Sequence, residues 1–425
     1  MKFKIILTIV ACLTLVGASI FAFNYYTNTK TEQKEPINEP PIITGNITEF
    51  NDAVNQFCID FIKKLSEDEN NYPNIFYSPY SVFTALAMTY EGARENTAVE
   101  MGNVLHIEQD NDSFHDYMKS LYTYLNNNDE YNISTANALW PDVGYELLTE
   151  YKQIIKEYYG GNTSNVEYAN PEEAARIINE WVENQTNNLI KDLVPASAIT
   201  DLTKLILTNA IYFKGIWQIQ FEEINTTERD FTLSSSDIIQ VETMKLTGTE
   251  DKFNYTETDD LQILELPYTG GDISMMVFLP KDGVSLSDVI SSLNRDEYNS
   301  WIDEMYETKA DIYLPKFKAE TSYNLKDYLI DLGINDAFNN DANFSGIDGT
   351  DYLFISKALH KAFIEVNEEG TEAAAATAII MDLAMEPGEG PPERITFNCD
   401  HPFLFTIYHK ETGTILFMGV INNPE

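Results

Sequence analysis

Apolar and polar positions alternate with two different periods along this chain, and helical spacing dominates its first part. From residue 51 onward, six apolar residues recur at three- and four-residue spacing, which predicts an amphipathic helix ending before a turn at 70–73. They are Val54, Phe57, Cys58, Phe61, Ile62 and Leu65. A short strand over 74–77 follows, and Ser78 with Pro79 offers a cap and a first-turn residue for the next helix. Residues 174–182 predict a further amphipathic helix.

Strand-like patterns dominate the second part. Residues 205–213 predict a buried strand, and residues 262–268 and 273–280 predict two strands joined at a Gly-Gly turn. A strand over 312–317 precedes a helix over 324–332, and the chain closes with a hairpin of 403–408 and 415–420. No regular βαβ alternation or internal repeat occurs, so the fold class predicted is α+β, as one domain over 51–425.

A run of small residues close to the C-terminus fits two structures. Ala and Glu favour a helix, whereas a period of two gives one uncharged face, with both Glu372 and Asp382 on the other. That face carries Thr371, Ala373, Ala375, Thr377, Ile379 and Met381. The segment could therefore lie exposed as a loop or enter a sheet as a strand. A chain able to do both is a candidate mechanical switch.

The charge of the chain excludes several partners. It has 68 acidic and 27 basic residues and a net charge of −41, so nucleic acid, anionic lipid and polyanionic cofactors would be repelled. The excess acid is interpreted as a solvated surface. A hydrophobic content of 44% supports a large core.

The N-terminal segment differs from the rest. Residues 1–26 contain Lys2 and Lys4 before an uncharged apolar run, which fits a cleaved signal peptide or an uncleaved membrane anchor. A lipoprotein-type box ending at Cys12 is a third option, and all three place the remainder outside the cytoplasm, secreted or anchored at the cell surface. Residues 27–50 are polar and predict a flexible tether. The two later cysteines, Cys58 and Cys399, make no disulfide framework.

Catalytic motifs are not found. The five histidines have no metal-ligand spacing, and Cys399-Asp400-His401 is interpreted as a core thiol beside a turn histidine. A nucleophile elbow, a phosphate-binding loop and a dinucleotide glycine pattern are also missing from the sequence. We therefore expect no enzyme activity, no cofactor and no metal.

Taken in order, the sequence motifs resemble one family, the serpins, and in particular an inhibitory member of prokaryotic type. The resemblance covers about 53–424 and rests on NIFYSPYS at 74–81, LTNAIYFKGIW at 207–217, LELPY at 264–268 and LPKF at 314–317. It continues through DAF at 336–338, ANFSG at 342–346, HKA at 360–362 and HPF at 401–403. The hinge of the family matches Glu368, Glu369, Gly370, Thr371, Glu372, Ala373, Ala374, Ala375, Ala376, Thr377 and Ala378.

The resemblance implies a fold of three β-sheets with about nine helices and an exposed reactive loop over about 368–391. In this family, a serine protease cleaves the loop and is trapped as an acyl-enzyme when the hinge inserts into the central sheet. Positions matching the family's shutter are Ser78, Ser81, Asn209 and His360, and Trp217 matches the breach where insertion begins. The uncharged face supports the inhibitory branch, because burying an unpaired charge is costly.

The hinge-to-bond span usual in the family, counted from Glu368, implies a reactive bond between Ala384 and Met385. Because the segment after Ala384 is longer than in familiar members, Leu383 or Met385 could donate the carbonyl instead. Each suits a shallow apolar pocket, as in elastase-, subtilisin- or chymotrypsin-like enzymes, and no Lys or Arg precedes Arg394 in the loop. The predicted function is thus suicide-type inhibition of a serine protease by a monomeric protein. The alternative is a non-inhibitory serpin acting as a binding or surface protein.

Overall fold

Helices surround the sheets of this protein. The computed structural model describes residues 43–44, 47–67, 73–107, 112–128, 130–371 and 394–425. In those ranges the α-helices are α1 Ile47–Ser66, α2 Pro79–Tyr90, α3 Glu95–Leu105, α4 Asp112–Asn126, α5 Thr149–Tyr159, α6 Pro171–Gln185, α7 Leu286–Ser292, α8 Arg295–Asp303, α9 Lys326–Leu332 and α10 Ser345–Asp348. Three short 3-10 helices cover Ala196–Ala198, Glu223–Asn225 and Asp336–Phe338.

Sixteen strands are described: β1 Asn74–Tyr77, β2 Tyr131–Pro141, β3 Asn162–Thr163, β4 Leu205–Ile216, β5 Thr227–Thr232, β6 Ile238–Leu246, β7 Phe253–Glu257, β8 Leu261–Pro267, β9 Ile273–Pro280, β10 Tyr306–Pro315, β11 Phe317–Asn324, β12 Lys357–Val366, β13 Gly370–Thr371, β14 Arg394–Asn398, β15 Phe403–His409 and β16 Thr414–Ile421. One sheet has the order β11-β12-β13-β4-β2-β3, with β12 also paired to β4. A second path runs β1-β16-β15-β9-β8-β7-β10-β6-β5, with β14 on β10.

The resemblance implied three sheets, but the strands form two hydrogen-bonded sheets, because β10 joins two groups of strands. Its first residues pair with β7, whereas its later residues pair with β6 and β14. The ten strands therefore form one hydrogen-bonded path that consists of two sheets sharing a strand. The predicted α+β class is confirmed, with ten helices among the described residues where about nine were expected.

The residues Ser78 and Pro79 explain why α2 begins where it does. The side chain of Ser78 accepts a hydrogen bond from the backbone N–H of Ser81 at 3.1 Å, and Pro79 occupies the first turn. Every residue of α2 is buried. The helix therefore passes through the core, and its capping residue lies directly beneath the six-stranded sheet.

Two buried clusters lie on opposite faces of that sheet. The larger one packs α1 and α2 against its inner face and includes Leu207, Ile211 and Phe213 of β4. The smaller one lies under α6 and includes Ile206 and Ala210 of the same strand. Both faces of β4 are thus covered, which accounts for its long run of buried residues.

Several boundaries differ from the sequence prediction. Helix α1 begins at Ile47, inside the predicted tether, and Ile43 is also buried. The strand predicted over 312–317 is divided between β10 and β11, which meet at Lys316. No helix of the described residues is long and apolar enough to cross a membrane; residues 1–26 lie outside that description.

Candidate functional site

The candidate site is the seam, by which we mean the parallel pairing of β4 with β12 in the six-stranded sheet. The pairing runs from Lys357 opposite Ile206 to Phe363 opposite Tyr212. Beyond this point the two strands part, and β13 lies between them. The sheet is closed along its lower part and already holds two residues of the hinge at its upper end.

Thr371 is the deepest described residue of the hinge. It pairs with Val366 of β12 and Gly215 of β4, and its side chain is fully buried. Its Oγ1 lies 2.7 Å from the hydroxyl of Tyr268. A small β-branched side chain that brings its own hydroxyl fills this position without leaving a buried polar atom unpaired.

Gly370 is required by close approach of two backbones. Its φ is +155°, and a Cβ built on it would lie 2.1 Å from the carbonyl oxygen of Gly215 and 2.8 Å from the Cα of Ile216. Neither atom belongs to a side chain that could rotate away. Only glycine therefore lets the hinge enter at this point.

Trp217 holds the turn that precedes β13. Its backbone N–H donates to the carbonyl of Glu369 at 2.9 Å, and its indole N–H donates to the carbonyl of Asn367 at 2.9 Å. The indole stacks on Tyr268 with 4.5 Å between ring centroids and an interplanar angle of 13°. Trp217 and Tyr268 together thus hydrogen-bond to Asn367, just before the hinge, and to Glu369 and Thr371 within it.

Glu368 lies at the base of the hinge and is a buried acidic residue, only 8% exposed. Its carboxylate accepts a hydrogen bond from Thr226 Oγ1 at 2.7 Å and lies 3.4 Å from Lys316 Nζ. Burial acts to lower the pKa of Lys316, but the carboxylates of Glu368 and Glu242 outweigh it and raise that pKa above its ordinary value. The ammonium therefore stays charged beside the hinge.

A hydrogen-bonded group, the seam cluster, lies under the closed part of the seam and consists of Ser78, Ser81, Asn137, Asn209 and His360. Asn209 and His360 face each other across the seam and hydrogen-bond through Oδ1 and Nδ1. The Asn209 side-chain amide donates to Ser81 Oγ at 2.5 Å and to the side-chain oxygen Oδ1 of Asn137. Ser81 Oγ donates to that same Asn137 oxygen at 3.2 Å.

The partners of His360 assign its tautomer. Its Nε2 accepts from the backbone N–H of Ser78 at 3.2 Å, so the ring proton resides on Nδ1 and is donated to Asn209. Burial lowers the pKa of His360 to about 3, and the bond to Asn209 opposes this only in part. The imidazole is neutral at physiological pH.

The structure thus brings Ser78, Ser81, Asn209 and His360 into one cluster and places Trp217 beside Glu368–Thr371. Sequence reasoning missed Asn137, which belongs to the strand β2 that was not predicted, and Tyr268, which was noted only within a motif. It also missed the partners Thr226 and Lys316 of the hinge. Residues 372–378 of the hinge and the reactive-bond candidates at 383–385 lie outside the described residues.

The surroundings of Cys58, Cys399 and His401 indicate structural roles for these side chains. Cys58 and Cys399 are buried free thiols, and burial raises the pKa of Cys58 to about 12. His401 contacts Asp400 Oδ1 and the carbonyl of Pro280, each at 2.8 Å. Within the part of the chain that the structure describes, no group of acidic, histidine or cysteine side chains is arranged to hold a metal ion.

Comparison with known proteins places the whole described fold in one family. The family model described as serpin (serine protease inhibitor) matches residues 52–424. An uncharacterised serpin-like protein of Thermococcus kodakarensis is 42% identical over 95% of this chain and 91% of its own length. The leukocyte elastase inhibitor of Xenopus laevis is 37% identical over 88% of this chain and 98% of its own length.

A solved structure agrees with both sequence matches. The crystal structure of Serpin48, described as a highly specific serpin of the insect Tenebrio molitor, aligns with a TM-score of 0.79 and 35% identity. The alignment covers 89% of this chain and 98% of that one. The chain therefore belongs to the serpin family, whose members are mostly protease inhibitors, although some, such as ovalbumin and thyroxine-binding globulin, are not.

Proposed function

We propose that this serpin is a suicide-substrate inhibitor of serine proteases, which traps the protease as an acyl-enzyme by inserting its cleaved loop into the six-stranded sheet. The observation that carries the proposal is the position of β13. Gly370 and Thr371 already lie between β4 and β12 at the upper end of the seam. Insertion would extend a strand that has begun, and the parallel seam below would open to receive it.

The register of β13 gives the inner face of the proposed strand. Because Thr371 is paired antiparallel with Gly215, each later hinge residue would pair one position earlier along β4. Odd-numbered residues from 373 to 381 would then face the large core beside residues 213 to 205. These are the Ala, Thr, Ile and Met of the uncharged face, so the register from the structure and the face from the sequence agree.

The same register gives a reason for the alanines on the other face. Residues 374, 376, 378 and 380 would lie beside Tyr212, Ala210, Thr208 and Ile206 of β4. Ile206 and Ala210 belong to the cluster covered by α6. Ala374, Ala376 and Ala378 would therefore pass beneath a helix, where larger side chains would have to displace it.

The target class follows from the loop composition. With Ala384 as the acyl donor, or Leu383 or Met385 in its place, the loop fits a small or apolar primary pocket. The elastase inhibitor named among the relatives supports this class of target. We further propose that the protein acts outside the cytoplasm as a monomer, with the first 26 residues serving as a signal or an anchor.

The test is incubation with elastase-, subtilisin- and chymotrypsin-like proteases, followed by denaturing electrophoresis and mass spectrometry of the cleaved loop. We expect an SDS-resistant covalent complex and cleavage after Ala384. Thr371→Arg should convert the protein into a substrate, because the guanidinium would have to enter the buried face. The matched control is Glu372→Arg, which changes the neighbouring residue on the opposite face and should preserve complex formation.

Cleavage without a covalent complex, together with an unchanged melting temperature, would contradict inhibition. That result would favour the alternative, a non-inhibitory serpin that acts as a binding or surface protein. A trypsin-like enzyme is the negative control in the same panel, since the loop offers it no Lys or Arg between 372 and 393.

A further inference from the structure

His401 contacts two hydrogen-bond acceptors with its two ring nitrogens. Nδ1 lies 2.8 Å from Asp400 Oδ1, and Nε2 lies 2.8 Å from the backbone carbonyl oxygen of Pro280. A neutral imidazole has one N–H and one lone pair, so it can donate only one of these bonds, whereas an imidazolium donates both. The geometry therefore assigns a proton to each nitrogen and a positive charge to the ring.

Solvent and charged groups both reach this ring. The His401 side chain is 28% exposed and forms part of the walls of two cavities, of about 740 and 550 Å³. The larger cavity is otherwise lined by uncharged residues. The smaller one carries the charged side chains Asp259, Lys281, Asp282 and Asp400. Because Lys281 Nζ is 3.0 Å from the carboxylate of Glu257, the carboxylates dominate the field at the ring.

The surroundings of His401 favour its charged form. Burial acts to lower the pKa of His401, but its two hydrogen bonds and the charges of Asp400 and Asp282 outweigh burial and raise that pKa above its ordinary value of 6.5. The folded-state pKa thus exceeds the unfolded one. The stability that the charged ring contributes is therefore fully present below about pH 6.5 and is lost as pH rises through the folded-state pKa.

His401 lies at the corner where the chain passes from β14 to β15, by which we mean residues 399–402. The N–H of Thr232, at the end of β5, donates to the carbonyl of Asp400 at 2.7 Å. The side-chain amide of Asn398, the last residue of β14, donates to Asp400 Oδ2 at 2.6 Å. The imidazolium joins this group to Pro280, the last residue of β9. One ring thus links the corner to a strand of the other group.

Strand β14 is the place where the reactive loop rejoins the fold. Among the described strands it pairs with β10 alone, through five residues. It begins at Arg394, directly after the residues that contain the proposed reactive bond. Release of β14 from β10 would add about 17 Å of extended chain to the C-terminal side of the loop. The corner therefore limits how far that side of the loop can move.

We propose that His401 is a positioning residue of the reactive loop, which anchors the C-terminal side of the loop while both ring nitrogens donate and loosens it when one proton leaves. The lone pair of the neutral ring would face an acceptor, so the corner would lose one of its links. With β14 released, the uncleaved loop would have the length to enter the seam, and the inhibitor would be lost without a protease. This consequence rests on the proposed function, whereas the anchoring of β14 does not.

Two variants of His401 separate its charge from its ring. A guanidinium can donate to both acceptors at every pH used, whereas glutamine is neutral throughout, so His401→Arg should preserve the corner and His401→Gln should weaken it. The measurement is hydrogen exchange of peptides covering 394–400, corrected for the intrinsic effect of pH. Wild type should lose protection about tenfold between pH 6 and pH 9, as for one hydrogen bond to a charged group. Protection should be constant in His401→Arg and low at both pH values in His401→Gln.

His106→Asn is the matched control for the loss of a histidine. The ring of His106 contacts one carboxylate oxygen, Asp60 Oδ2 at 3.1 Å, and its φ of +56° suits asparagine. This variant should keep the pH dependence of wild type. The half-life of inhibitory activity against subtilisin, for protein stored without protease, should shorten about tenfold from pH 6 to pH 9 in wild type and stay constant in His401→Arg.

The protonation state is read directly by NMR of protein labelled with ¹³C-histidine. The signal of His401 is the one missing from His401→Gln, and its midpoint should lie above pH 6.5. A midpoint at or below 6.5, or the same pH dependence of exchange in wild type and His401→Arg, would overturn the role of His401 and leave inhibition intact. Absence of a covalent complex with wild type would overturn the proposed function, and exchange and NMR would still decide whether His401 anchors β14.

Discussion

Replacement of Gly370 by alanine should separate cleavage of the loop from its insertion. The added methyl group would lie 2.1 Å from the carbonyl oxygen of Gly215, far inside ordinary van der Waals contact. Because the obstacle is the backbone of β4, no side-chain rotation relieves it. The hinge must therefore leave the upper end of the seam, and Thr371 loses both its burial and its bond to Tyr268.

The expected magnitude follows from these contacts. Overpacking a site of this kind costs about 1–3 kcal/mol, and one lost hydrogen bond contributes about 1 kcal/mol. Because the hinge can move out of the sheet into solvent and so relieve part of the clash, we expect a loss of native stability of about 2 kcal/mol. If the same clash adds about 2 kcal/mol to the barrier for insertion, the insertion rate falls about 30-fold.

The assay is the number of inhibitor molecules consumed per inactivated protease, together with the yield of cleaved, uncomplexed protein. Slower insertion gives the acyl-enzyme time to hydrolyse, so Gly370→Ala should consume many more molecules than wild type. Gly271→Ala is the control, since Gly271 also has a positive φ, of +79°, but no atom within 4 Å of the added Cβ. Equal consumption by wild type and Gly370→Ala would refute the role assigned to this close approach.

Three further predictions concern the contacts around the seam. Glu368→Lys should expose the hinge to proteolysis and lower stability by about 1–3 kcal/mol, because it places a second cation beside Lys316; limited proteolysis and urea unfolding measure this. Asn137→Ala should lower the urea unfolding free energy by about 2–4 kcal/mol, because two buried donors of the seam cluster lose their acceptor. His360 has a folded-state pKa of about 3, below its unfolded value near 6.5, so the stability that its neutral form contributes is present above pH 6.5 and lost as pH falls toward 3. A comparison of wild type with His360→Asn over that range should isolate a loss on the order of 5 kcal/mol, and parallel pH profiles would contradict it.

The sequence predicted those elements whose signals are local. The strand at 74–77, the cap at Ser78 and the strands β8 and β9 follow from residues within a few positions of one another, and each lies where expected. Strand β11 shows a regular alternation of buried and exposed residues. The sequence prediction nevertheless assigned its first residue, Phe317, to the preceding strand, because the motif at 314–317 was interpreted as one strand. The polar first half of β10 has no such alternation, because its side chains are largely exposed.

The candidate site was predictable only in part, because its contacts are long-range. Small residues on alternate positions signalled a segment that could enter a sheet, and the family motifs named four members of the seam cluster. Asn137 gave no signal, since it lies in a strand rich in Ser, Thr, Ala and Asn. The contacts of Tyr268 and Lys316 with the hinge span 103 residues and 52 residues (368 − 316), and only the fold brings them together.

Thermal unfolding of the intact and the loop-cleaved protein tests the central claim most directly. The loop would be nicked by a protease that does not remain bound, and the cut located by mass spectrometry within 372–393. If the hinge inserts, the cleaved protein should melt about 10 °C higher, which at about 1–2 °C for each kcal/mol in a chain of this length corresponds to a gain of about 5–10 kcal/mol. Thr371→Arg, cleaved in the same way, should show a much smaller rise. A wild-type protein whose melting temperature is unchanged after cleavage would contradict insertion and the inhibitory mechanism with it.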